Sequence, residues 1–130
     1  MAEMSNHLEN AMLNLTLNGT AFTAISTPYV ALHTADPTDA GTGAEVSGGS
    51  YARTSASFAT ASGTGGSCAT DADVTFPTAT ASWGTVTHIG IWDASSSGNL
   101  LYHTPLDSSK TIDSGDIFKI TSGNLTVALA

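Results

Sequence analysis

Positive charge is nearly missing from this chain. Arg53, Lys110 and Lys119 are its only cations, set against 11 acidic side chains for a formal net charge of −8. A nucleic-acid binder needs a basic patch to displace counterions from phosphates, so no nucleic-acid partner is expected. Attachment to an anionic membrane surface is disfavoured on the same ground. Long apolar runs are also missing: none approaches the ~20 residues of a membrane span. Cys68 is the sole cysteine, which excludes an internal disulfide and a thiolate metal cluster, and fits synthesis in a reducing cytoplasm. The first ten residues lack a basic stretch followed by an apolar one, so no secretory signal is expected.

Charged residues of both signs make up 11% of the chain, well under the usual ~25%. Hydroxyls take their place: 20 Thr and 16 Ser. Such a neutral, hydroxyl-rich coat suits an extracellular or virion surface, and Thr is also favoured in strands. The 130 residues fit one domain, large enough to bury roughly two thirds of its unfolded surface without staples.

The stretch 83–106 carries both tryptophans, Trp83 and Trp92. It reads as two strands, 84–92 and 100–106, joined by a turn-forming cluster at 93–99. Large aromatics bury the most area, so the core is expected to condense here. Strict alternation would put Val86, His88, Gly90 and Trp92 on one face and Thr85, Thr87, Ile89 and Ile91 on the other. Neither face is cleanly polar, as befits a strand inside a sandwich or at a subunit contact.

One helix is expected, at 4–17, where Met4, Leu8, Ala11, Met12 and Leu15 recur on a single face. Ser5 or Asn6 caps it and Asn18-Gly19 ends it. The remaining segments read as strands at 27–34, 51–60, 74–76, 110–112, 116–121 and 125–129, with turns between them, including one at 107–109. The glycine-rich segment 62–70, holding Gly63, Gly65 and Gly66, reads as an exposed loop. Turn signals every 8–12 residues or so mark a sandwich or barrel. The expected fold is therefore all-β: an antiparallel β-sandwich, jelly-roll or Ig-like, at 21–130, preceded by a short N-terminal α-helical segment at 1–20.

No arrangement for catalysis stands out. The histidines, His7, His33, His88 and His103, show neither i, i+4 spacing nor an HExxH pattern. His33 with Asp36, or His88 with Asp93, would hold a metal only if the fold supplied further ligands. His88 and His103 are expected to face each other across the 83–106 hairpin as a pH-sensitive pair. The serines lack a nucleophile elbow, the acids at Asp36, Asp39 and Glu45 match no calcium loop, and Gly63 to Gly66 lacks the rest of a phosphate loop. No enzyme activity, cofactor or metal is expected. Tyr51 and Trp92 are weighed as sugar platforms and assigned to core packing.

Residues 29–37 (Tyr29 to Pro37), 45–53 (Glu45 to Arg53), 83–93 (Trp83 to Asp93), 98–101 and the closing 123–127 together resemble a family of small tailed-bacteriophage virion proteins, usually labelled tail-fibre-like or structural. The resemblance covers about residue 12 to the end. It implies an all-β, self-associating virion component. A domain of this size, acidic and hydroxyl-coated, suits a capsid cement or decoration protein that binds the major capsid protein or other virion proteins. A tail-fibre or tail-tip component contacting the host surface is the alternative, and a secreted sugar-binding β module a third reading. A homo-oligomer, dimer or trimer, is expected. Its contacts are placed on Leu8 and Met12 of the helix, on the loop 36–49 with Asp36, Asp39 and Glu45, on the neighbouring Tyr51, and on the loop 62–70.

Overall fold

The computed structural model describes residues 2–62 and 65–129. Gly63 and Thr64, part of the 62–70 segment, lie outside the described residues. The expected hairpin is the axis of the molecule. Strand β6 (Gly84–Trp92) pairs antiparallel with β7 (Leu100–Ile112). Their connection is fixed by Asp93, whose carboxylate accepts from the Asn99 backbone N–H at 2.7 Å and from Asn99 Nδ2 at 3.0 Å. Gly98 adopts a φ of +74° in this turn, and a side chain there would collide with Asp93 and Ala94. Glycine is required on both counts.

Two further strands join β6: β2 (Tyr29–His33), and beyond it β3 (Thr54–Ser55). The far edge is formed by β1 (Glu3–Met4), which pairs with β7. The five-stranded sheet thus runs β1-β7-β6-β2-β3. Two short antiparallel pairs make the second layer: β4 (Ser67–Ala69) with β9 (Thr126–Ala128), and β5 (Val74–Thr75) with β8 (Lys119–Ile120). The main core lies between them. Val30, Leu32, Val86, Ile89, Ile91 and Leu101 come from the sheet; Val74, Phe76, Phe118, Leu125 and Val127 come from the other side. Phe76 meets Phe118 edge-on at 5.6 Å and stacks on Tyr51 at 6.3 Å, while Tyr51 meets Trp83 edge-on at 5.4 Å. The expected all-β, sandwich-like fold with one helix holds.

Several local expectations do not. The turn expected at 107–109 is part of a continuous β7. It falls where β7 takes five steps, from Pro105 to Lys110, against two on β6, from His88 to Val86. Extra residues bulge out without ending the strand. The irregularity also rephases β6: Val86 and Ile89 both enter the main core, although strict alternation puts them on opposite faces. His88 pairs with His33 on β2 and with Pro105 on β7. His103 pairs with Gly90, so the expected His88–His103 pair is replaced by His88–His33. In 62–70, residues 67–69 form a strand rather than a loop. The strand expected over 51–60 shrinks to Thr54–Ser55.

The helix α1 (Asn6–Leu17) begins two residues later than expected, because Glu3 and Met4 extend the sheet instead. Ser5 is the hinge between the two states. Its hydroxyl accepts from the Leu8 N–H and donates to the Leu100 carbonyl, and its own N–H donates to Leu101 O at 2.9 Å. Leu8 is buried in the core, with Met12 packed against it.

Candidate functional site

The outer face of the five-stranded sheet holds most of the chain's polar architecture. Small and polar residues line up there across four strands: Ala31, Gly90, His103 and Glu3 are successive register partners. Trp92, Leu100 and Ala31 form a small apolar cluster on it. Gly90 leaves the room that this cluster needs, since a Cβ would come within 2.8 Å of Trp92 Nε1, 2.9 Å of Leu100 and 3.0 Å of His33 Nε2.

The segment after β2 folds back over this face as a closed loop. Its ends are zipped by Thr34 N–H to Ala44 O (2.8 Å) and Val46 N–H to Leu32 O (3.0 Å). Inside it, Asp36 accepts from the Thr38 N–H at 2.8 Å, and the Thr42 N–H donates to Pro37 O at 2.9 Å. The turn residues at 35–43 therefore encode a defined shape and not merely a connection.

Arg53 closes one side of the face. Its guanidinium gives Nε and Nη2 to the two oxygens of Glu45, at 2.9 and 2.8 Å. Nη1 donates to Ala94 O at 3.0 Å and Ser97 O at 2.8 Å, tying down the β6–β7 turn. The same group lies 4.0 Å from the centroid of the Trp92 ring, a cation–π contact. Tyr51 donates its hydroxyl to Glu45 at 2.7 Å and accepts from the Leu32 N–H at 3.0 Å. Burial works to raise the pKa of Glu45, but the Arg53 and Tyr51 hydrogen bonds and the guanidinium charge outweigh it and hold the carboxyl low. Burial pushes the Tyr51 phenol up. His33, 1% exposed, stacks on Trp92 at 6.3 Å, and burial lowers its pKa despite Gly43 O at 3.3 Å and Glu45 nearby. Arg53 and His88 push it the same way as burial.

On the other side, Asp36 and Asp39 reach His103 from the loop, and Glu3 reaches it from β1. Asp39 Oδ1 is 2.8 Å from Nε2, Glu3 Oε2 is 3.9 Å from Nε2, and Asp36 Oδ1 is 3.5 Å from Nδ1. Glu3, Asp39 and His103 place one ligand atom each within 4.8 Å of one another. Asp36 thus meets His103, not His33.

The residues marked in the sequence divide accordingly. Asp36 and Asp39 gather at His103; Glu45 and Tyr51 belong to the Arg53 knot. Leu8 is inside the subunit and Met12 is half-buried. Neither Tyr51 nor Trp92 presents an exposed ring, since one is half-buried and the other buried. What sequence reasoning missed is a second stripe on α1. Leu13 and Leu17, one turn apart on the face away from Leu8, are 56% and 78% exposed. Their i, i+4 spacing was the available signal; the stronger stripe through Leu8 and Met12 masked it.

A family model described as podophage GP4 fiber I protein gp80 matches residues 3–128, which takes in both layers, the helix and the outer face. The chain belongs to that family. The likeness to tailed-phage virion structural proteins read from residues 29–37, 45–53 and 83–93 is thereby sustained over nearly the whole length of this gp80-family domain. No curated protein matches the sequence.

Proposed function

We propose that this gp80-family protein is a non-enzymatic structural module of the phage tail fibre, assembled through its own copies in the virion. The fibre assignment follows the family's description and takes precedence over the capsid cement role, which rested on size, acidity and hydroxyl content alone. The observation that carries an assembly role is the second stripe on α1. Leu13 and Leu17 stand in water on a helix already anchored by Leu8. Around them lie Asn10, Asn14 and Thr16, with Glu9 one turn before Leu13 as the one acid on this face. Two copies meeting around Leu17, with Glu9 left at the rim two turns away, bury leucine at little cost in like-charge repulsion, despite a net charge of −8 per chain. Each leucine removed from water contributes about 1.5–3 kcal/mol before the cost of association. Host contact would then fall to other surfaces of the assembled fibre.

Gold-labelled antibody against the chain, applied to purified particles, tests the location. Label at the tail supports the fibre role. Label spread over the shell contradicts it and restores the cement role.

A further inference from the structure

His103 is 4% exposed, yet carboxylates approach both of its ring nitrogens. A neutral imidazole has one N–H to give and one lone pair. If Nδ1–H points to Asp36, the lone pair of Nε2 points at Asp39 Oδ1 and Glu3 Oε2. Three electron-rich atoms then converge on one small space that a bound cation would neutralise, whereas with the proton on Nε2 the 2.8 Å contact is a hydrogen bond to Asp39. We propose that Glu3, Asp39 and His103 bind a divalent cation of the Zn²⁺ class, with Asp36 orienting the histidine.

The arrangement is built rather than accidental. Glu3 and His103 are direct register partners on adjacent antiparallel strands, so their side chains share one face of the sheet. The backbone of Asp39 is fixed by its carbonyl, which accepts the Asn6 N–H at 2.9 Å. A metal-binding histidine commonly gives its second ring N–H to a carboxylate, and Asp36 occupies that place. The donor set of one imidazole and two carboxylates suits Zn²⁺ better than Ca²⁺ or Mg²⁺, which favour oxygen alone. Asp39 and Glu3 are 49% and 72% exposed, so both have room to open the Nε2–Oδ1 distance around an ion. Three protein ligands leave a coordination position for water or for a side chain of a neighbouring molecule. The ion would clip the two-residue edge strand β1 and the 34–44 loop to β7, securing the start of α1 at the sheet edge.

The test uses the full chain stripped with EDTA and titrated with ZnCl₂, CaCl₂ or MgCl₂ by calorimetry, with thermal unfolding in parallel. One Zn²⁺ per chain is expected, with a raised Tm and no comparable effect of Ca²⁺ or Mg²⁺. Asp36→Asn should weaken Zn²⁺ binding by about tenfold. Glu3→Gln and Asp39→Asn, both at exposed carboxylates that leave the core untouched, should weaken it further, and together abolish it. No Zn²⁺ binding and an unchanged Tm would overturn the proposal and leave the His103–Asp39 contact as a hydrogen bond only. Undiminished binding in the double variant would place the ion elsewhere, on His7 or Cys68, and overturn it equally.

Discussion

Arg53 is one of only three cations in the chain, and it is nearly buried. Its side chain is 7% exposed and that of Glu45 27%. It joins the 45–53 segment, the β6–β7 turn and the Trp92 ring through one planar group, which lysine does not reproduce. Removing one partner of such a pair strands the other, at a cost of about 3–5 kcal/mol. Arg53→Ala should therefore lower stability by about that amount in urea unfolding; a loss under 1 kcal/mol would show that water replaces the pair freely. The pH response follows from the same neighbourhood. His33 has a lowered pKa in the fold, so the unfolded chain takes up its proton first. The stabilisation is complete above the unfolded value near 6.5 and is lost as pH falls below it toward the folded value. Glu45, also lowered, adds a second loss at more acid pH, beginning near the ordinary carboxylate range. Tm should fall in two stages below neutrality, and His33→Gln should remove the upper one. A Tm independent of pH between 7 and 5 would contradict this. The sequence marks Glu45 and Tyr51 as contacts on the ground of loop exposure, although it also assigns the Tyr51 ring to core packing. It did not reveal that Arg53 would draw both inward, since that pairing depends on β2 and the turn at 94–97 meeting in space.

Among the elements, strand existence was more legible than strand register. The β-forming runs at 29–33 and 84–92 were plain, and so was the turn at 93–99. The bulge in β7 was not, because Asp107, Ser108 and Ser109 look the same in a turn as in extra residues carried by a long strand. The partner of His88 is set separately, at the hairpin end, where a second irregularity between Ile91 and Trp92 pairs Ile91 with Tyr102 and so carries His88 to Pro105. The Glu3–Asp39–His103 cluster is hidden for a related reason: the sequence places Glu3 outside the sheet, and only β1–β7 pairing brings it to His103. The helix carries its own prediction. Leu13→Ser with Leu17→Ser leaves Leu8 and Met12 in place, so the fold should keep its circular dichroism and Tm. Sedimentation should show the wild-type chain as an oligomer and the double variant as a monomer. A wild-type monomer at all accessible concentrations would remove this face from the assembly.

For the whole molecule, composition was informative about surroundings and the fold about mechanics. A chain with few charges and many hydroxyls wraps a core that runs continuously from Leu8 through Phe76 to Val127. The polar knots lie on the outside of the sheet, where they fix loops. Such a body suits a rigid part of a larger particle. The family match over residues 3–128 joins the whole of that body to a phage virion structural family, as the resemblance in 29–37 and 83–93 implied. The measurement that tests the fibre account most directly is the copy number per virion, by quantitative mass spectrometry against the major shell subunit. The account predicts a small number, set by the symmetry of a tail appendage. A number close to that of the shell subunit would contradict it and place the protein on the capsid lattice.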